Sequence, residues 1–189
     1  MLKKEARKIY KQKRKEISHA QKEKWDDLLL IQFQKLNLPF IKTVFSYLAM
    51  ESQNEIDTTN ITSYLNFINP ELKIAYPVCN FDDCTLNAIV AGNDEDFTLN
   101  RFGTLEPVGK EEILPKEIDL VIVPLLCFDD EGYRVGYGKG FYDKFLSVCR
   151  DDVIKVGLSY FEPIEKITDR DDFDVPLSYC VTPQTIYQF

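Results

Sequence analysis

The chain has 189 residues, 44% of them apolar and 13% aromatic, which suits one globular domain with a substantial core and excludes a disordered chain. Its net charge of −8 disfavours a dedicated nucleic-acid binder, and no apolar run approaches the roughly 20 residues of a membrane span. Five cysteines, at 79, 84, 127, 149 and 180, fit no zinc spacing and read as small thiols in a reducing cytoplasm.

The charge is unevenly spread. Residues 1–16 hold eight Lys/Arg and two Glu, a balance of +6, which leaves −14 for the remainder. Leu2, Ala6 and Ile9 recur at helical spacing through this segment and predict an amphipathic helix. At about 100° per residue, Lys3, Arg7 and Arg14 fall within about 40° of one another as one cationic stripe. Alone, such a stripe is more often a solvated face than a ligand site. The segment lacks the apolar stretch of a signal peptide, and Glu5 and Glu16 do not suit a transit peptide.

Ser18 and Gln21 form a capping box, so "SHAQKEKWDDLLLIQFQKL" reads as a second helix closed by Pro39. "KTVFSYLA" (42–49) predicts a first buried strand, followed by the polar loop "MESQNEID" and a helix near 58–68. "LKIAYPV" (72–78) and "TLNAIV" (85–90) read as strands, the latter a candidate for antiparallel pairing. Residues 91–117 look irregular, with "RFGTLEP" as a turn that exposes Glu106. The apolar run "IDLVIVPLLCF" (118–128) reads as one central strand buried on both faces. A helix over 141–149 should turn Phe141, Phe145 and Val148 inward, and strands follow at 153–160 and 178–182. This order predicts an α/β three-layer, Rossmann-like sandwich with a largely parallel central sheet and an N-terminal helical pair, one domain over 1–189.

Four of the eight glycines, Gly132, Gly136, Gly138 and Gly140, crowd into "GYRVGYGKGFYD", between the best strand and a helix. Open α/β sheets bind ligands at such strand-to-helix passages. Backbone N–H groups there could cradle an anion, with Lys139 as a mobile charge and Arg134 as a fork for phosphate oxygens. Asp143 is a hard oxygen ligand suited to magnesium beside a triphosphate. The spacing matches neither G-x-x-x-x-G-K-[ST] nor G-x-G-x-x-G, so the alternative is a glycine-rich turn with an aspartate opening a helix. Elsewhere, Glu55 lies in a loop after a strand, where α/β proteins place function. The acidic loop with Asp171, Asp172 and Asp174 has solubility as its plain reading. His19, the sole histidine, reads as an exposed helix residue, which leaves no Ser–His–Asp or Cys–His system.

"VPLLCFDDEGYRVGYGKGFYDKFL" resembles the signature of the 5-formyltetrahydrofolate cyclo-ligase family. The family pattern matches at Pro124, Phe128-Asp129, Gly132, Arg134, Gly136, Gly138, Gly140 and Tyr142-Asp143. The basic first helix, the "EID" after strand one, Gly103 to Pro107 and "DVPLSYCVT" extend the likeness over nearly the whole chain. Two extra residues between Met50 and Glu55, and Ser178 in place of an acid, depart from it.

The resemblance implies cyclisation of 5-formyltetrahydrofolate to 5,10-methenyltetrahydrofolate, with ATP as co-substrate, Mg2+ as cofactor, and ADP and phosphate released. It implies ATP contacts from Lys3, Lys4, Arg7, Arg134, Gly136, Tyr137, Gly138, Lys139, Gly140, Phe141 and Tyr142, with Lys139, Arg134 and Tyr142 acting in catalysis. Folate contacts fall to Glu55, Leu48, Met50, Phe102 and Tyr142, and metal ligation to Asp143 and Asp174. A cytoplasmic monomer acting on small molecules, without nucleic acid or membrane, is expected. The runner-up is a non-catalytic nucleotide- or folate-binding regulator on the same scaffold, and Lys139, Asp143 and Glu55 together favour the enzyme.

Overall fold

A computed structural model describes residues 1–92, 96–100 and 104–189. Two helices, α1 (Lys3–Lys15) and α2 (His19–Phe33), precede strand β1 (Thr43–Phe45) and helix α3 (Thr59–Ile68). Strands β2 (Lys73–Asn80), β3 (Thr85–Val90), β4 (Phe97–Leu99), β5 (Leu105–Pro107), β6 (Glu112–Ile113) and β7 (Leu120–Val123) follow. The chain continues through β8 (Cys127–Phe128), β9 (Arg134–Val135), α4 (Phe141–Leu146), β10 (Ile154–Leu158), β11 (Tyr179–Val181) and β12 (Ile186–Gln188).

Among the described residues, eight strands form one sheet in the order β12-β11-β10-β7-β1-β2-β3-β6. It is parallel from β11 through β2, and β12, β3 and β6 run antiparallel at the two edges. Along β7 the pleat sends Leu120 and Ile122 to one face and Val121 and Val123 to the other, and all four are buried. The first face packs on Leu29 and Phe33 of α2 and on Ile61 and Leu65 of α3. The second packs on Phe145 and Leu146 of α4, which completes the three layers. Helix α1 belongs to neither face. Its Ala6 and Tyr10 join a third cluster with Leu126, Cys127, Val135 and Ile164, across the β8–β9 hairpin.

Several sequence expectations need correction. The run 118–128 is not one strand: β7 ends before Pro124, whose missing N–H cannot continue the ladder. The chain then leaves the sheet, and β8 pairs with β9 instead. Residues 91–117 are not wholly irregular, since β4 and β5 pair with each other and β6 adds to the sheet. The helix after the glycines stops at Leu146, so Val148 no longer follows the inward stripe and is 53% exposed. Strand β12 escaped the sequence pattern because its three residues are too few for a periodicity.

The β8–β9 hairpin that carries the glycine stretch is organised by Asp129, which is 0% exposed. Its Oδ1 accepts from the Glu131 and Tyr133 amides at 3.1 and 3.0 Å, while Oδ2 accepts from Ile167 N at 3.0 Å and Arg170 Nη2 at 2.6 Å. A buried carboxylate is tolerable here because charge-assisted bonds surround it.

Candidate active site

The glycine stretch lies beyond the carboxyl ends of the parallel strands, where α1 crosses it. All three members of the α1 cationic stripe turn inward to this region. Lys3 pairs its ammonium with Asp174 Oδ2. Arg7 Nε donates to Gly136 O at 3.0 Å. Arg14, 4% exposed, donates from Nη1 to Tyr137 Oη at 3.0 Å and from Nη2 to Leu125 O. The stripe is thus a docking face. Lys4, one position off it, is exposed.

Gly138 and Gly140 have φ of +94° and +75°, a region L side chains rarely adopt. A Cβ on Gly138 would also come 3.0 Å from the Arg7 guanidinium carbon, so the close approach of helix and loop depends on its absence. Gly140 opens α4 in the left-handed region. Between them Lys139 is exposed, and its amine makes no hydrogen bond or ion pair with the described residues. Phe141 is half-buried and meets Phe81 edge to face, with centroids 5.5 Å apart.

Arg134 sits differently. Its side chain is buried, and the guanidinium donates to Val175 O at 2.6 Å and to Asp143 Oδ1 at 2.8 Å. Burial lowers its pKa, while Asp143 and Asp174 oppose that shift. The fork therefore fastens the start of α4 to the segment before β11. Asp143 Oδ1 also accepts from Val175 N at 3.2 Å, and Oδ2 has no partner among the described residues. Asp174 Oδ2 takes both Lys3 and the Asp171 amide, at 2.7 Å for the latter. Among the described residues no group of three or more His, Cys, Asp or Glu could hold a metal unaided. One free carboxylate oxygen on Asp143 does suit Mg2+, which commonly takes one or two protein carboxylates and completes its shell with phosphates and water.

The segment after β1 is tied to the end of α1, which also meets the glycine loop. Leu48 and Met50 are half-buried there. The residues between Met50 and Glu55 form a 3-10 turn, Glu51–Gln53, ending on Asn54 with φ of +51°. That turn lets Glu55 fold back, so its Oε2 accepts from Met50 N at 2.8 Å. Asn54 Nδ2 donates to Arg14 O at 2.9 Å and Ile17 O at 3.1 Å, which ties the loop to the end of α1. Glu55 is 4% exposed.

Three tyrosines feel this carboxylate. Burial, and then Glu55, raise the hydroxyl pKa of Tyr47, Tyr137 and Tyr142 above the ordinary range. The Tyr137 hydroxyl accepts from Arg14 Nη1, and Lys11 Nζ lies 5.1 Å from the ring centroid. Tyr142 packs its ring on Phe45, with centroids 6.0 Å apart, and its buried hydroxyl has no partner among the described residues. An unsatisfied buried hydroxyl is a cost that a bound polar ligand could remove. Phe102 lies outside the described residues.

Sequence reasoning missed two members of this neighbourhood. Glu106 is half-buried in β5, not an exposed turn residue, and accepts from Cys79 N at 3.1 Å. Tyr47 fell inside the buried strand expected over 42–49, but β1 ends at Phe45, and nothing in the strand pattern marked the tyrosine as a site residue. Burial raises the nearby Cys79 thiol to about 11, which keeps it a thiol and not a nucleophile at neutral pH.

The model of the 5-formyltetrahydrofolate cyclo-ligase family matches residues 1–183. The chain is 30% identical over 145 residues to the mitochondrial 5-formyltetrahydrofolate cyclo-ligase of Arabidopsis thaliana, covering 69% of this chain and 52% of that protein. It is 38% identical over 88 residues to the 5-formyltetrahydrofolate cyclo-ligase of Haemophilus influenzae, covering 44% and 46%. The chain thus spans about half the length of the curated relatives it matches. Among solved structures it resembles 5,10-methenyltetrahydrofolate synthetase from Aquifex aeolicus, with a TM-score of 0.81 and 28% identity over 100% of this chain and 93% of that one. The 5,10-methenyltetrahydrofolate synthetase of Mycoplasma pneumoniae gives 0.75 and 26%, covering 96% and 98%.

Proposed function

The chain belongs to the 5-formyltetrahydrofolate cyclo-ligase family, and from that premise we propose that it cyclises 5-formyltetrahydrofolate to 5,10-methenyltetrahydrofolate at the expense of ATP. The observation that carries the reading is that one glycine stretch meets the α1 cations Arg7 and Arg14 and bears two tyrosines, Tyr137 and Tyr142, whose hydroxyls feel the buried Glu55 carboxylate. A reaction that brings a triphosphate to a heterocyclic amide needs both features at once.

The chemistry assigns the work. An N-formyl group is an amide, and nitrogen donation makes its carbon a poor electrophile. The formyl oxygen attacks the γ-phosphorus of ATP and ADP leaves, giving a phosphorylated iminium-like carbon. The folate nitrogen at position 10 attacks that carbon, the C–O bond to phosphate breaks, and loss of the N–H proton closes the methenyl bridge. The protein supplies position and charge more than covalent chemistry.

On this reading Lys139, exposed and unpaired among the described residues, neutralises phosphate charge, aided by Lys3, Lys4 and Arg7 and by the amides of Gly136 to Gly140. Arg134 acts through Asp143, whose orientation it fixes by the 2.8 Å bond. Asp143, with Asp174 near it, would hold Mg2+, which when bound supplies charge neutralisation to the phosphates. Glu55 and Tyr142 take the pterin and formyl region, and Leu48 and Met50 border it. The single domain over 1–189 works as a cytoplasmic monomer on small molecules, a reading that five free cysteines support.

Purified protein mixed with Mg-ATP and 5-formyltetrahydrofolate should develop the near-ultraviolet absorbance of the methenyl product. Folded protein that binds both substrates without forming product would favour a non-catalytic regulator.

A further inference from the structure

Helix α1 offers three inward cations, and they do not share one neighbourhood. Lys3 meets Asp174 and Arg7 meets the Gly136 carbonyl and Gly138. Arg14 stands further along the helix and meets Tyr137, Leu125 and, through its own carbonyl, Asn54. We infer that Arg14 is a positioning residue for the folate side of the site, acting on Glu55 through the Tyr137 hydroxyl, whereas Lys3 and Arg7 serve the nucleotide side. This rests on the proposed cyclo-ligase reading.

The hydrogen-bond inventory carries the argument. A tyrosine hydroxyl has one proton to give and lone pairs to receive. Arg14 Nη1 occupies a lone pair of Tyr137 Oη at 3.0 Å, and a guanidinium can only donate. The hydroxyl proton is then free for an acceptor, and Glu55, buried in the loop that Asn54 ties to Arg14, is the carboxylate that raises its pKa. Glu55 is thereby held by the Met50 amide and faced by a donor whose rotor has been fixed. Glu55 also raises the Tyr47 and Tyr142 hydroxyls, and Lys11 lies over the Tyr137 ring. Arg14 also anchors the same loop independently: its carbonyl accepts from Asn54, the residue before Glu55. The backbone anchor survives any side-chain substitution, so side-chain variants isolate the relay.

The test is a double-mutant cycle with Arg14→Met and Tyr137→Phe, read as KM for each substrate and as 5-formyltetrahydrofolate binding measured calorimetrically without ATP. Each single variant should weaken folate binding and raise the folate KM about tenfold, the scale of a lost charge-assisted bond. The ATP KM should stay within about twofold, and the double variant should match Tyr137→Phe within about twofold. Arg14→Lys should recover part of the loss. Equal increases in both KM values, or about a hundredfold additive loss in the double variant, would overturn the relay. If Arg14→Met is too unstable to assay, Tyr137→Phe against Arg14→Lys reads the same split. Wild-type protein that binds the folate but forms no product fails the parent reading while leaving the binding comparison decisive for Arg14.

Discussion

The Arg7 guanidinium lies across the backbone of Gly138, close enough that a Cβ there would sit 3.0 Å from its carbon, while Arg7 Nε holds Gly136 O at 3.0 Å. Residues 131 positions apart in the chain therefore depend on one another's shape. A glycine in the loop and a cation on the helix form one device.

Gly138→Ala should therefore damage both stability and nucleotide handling. A left-handed residue with a side chain costs about 1–2 kcal/mol, and for a chain of this size that lowers Tm by about 2–8 °C. The ATP KM should rise with it, because the Arg7 guanidinium must move. Calorimetric melting and steady-state kinetics check both. Unchanged Tm and unchanged ATP KM would remove the close approach from the account.

Lys139→Ala tests the opposite situation. The side chain is exposed and has no partner among the described residues, so its loss should leave Tm within about 1–2 °C. Turnover should fall by about a hundredfold if the ammonium meets the transferring phosphoryl group. Wild-type turnover in a folded variant would refute that role.

How much of this was legible beforehand follows from the range of each signal. The glycine cluster, the cationic stripe of Lys3, Arg7 and Arg14, and the apolar residues of β7 are local patterns, readable from spacing alone. Their meeting is not local. Nothing in "MLKKEARKIYKQKR" says that its cations face a loop some 130 residues on, since a solvated helix shows the same stripe. The partners of Arg134 were hidden in the same way. As a residue type it suits phosphate, yet burial beside Asp143 and Val175 O commits its fork within the protein. The 118–128 run failed because apolarity counts Leu125 to Phe128 alike whether they continue a strand or turn into a hairpin.

Arg134→Met should be strongly destabilising. It strips Asp143 and the Val175 carbonyl of their shared donor, and breaking such a pair costs about 2–3 kcal/mol here, toward the low side because Asp143 is partly exposed. Arg134→Lys should rescue little, since one ammonium cannot span both acceptors as the fork does. Denaturant midpoints measure the loss. A midpoint equal to wild type in either variant would count against this structural role.

Glu131 offers a pH test away from the site. Hydrogen bonds from Arg170 and Lys166 lower its carboxyl to about 2. The sign follows: its contribution to stability is complete above the unfolded range near about 4.3, and is lost as pH falls toward the folded value. NMR titration of the Glu131 carboxyl should show this low midpoint, and Arg170→Ala should return it toward the ordinary range. An ordinary midpoint in the wild type would contradict the pairing.

The central claim is that the glycine loop delivers the γ-phosphate of ATP to the formyl oxygen of the folate. Turnover of 5-formyltetrahydrofolate carrying 18O in the formyl group, with Mg-ATP, tests it most directly by mass analysis of the products. The account predicts one 18O in each molecule of released inorganic phosphate, with methenyl product and ADP formed in equal amounts. Label recovered in water, with unlabelled phosphate, would contradict it.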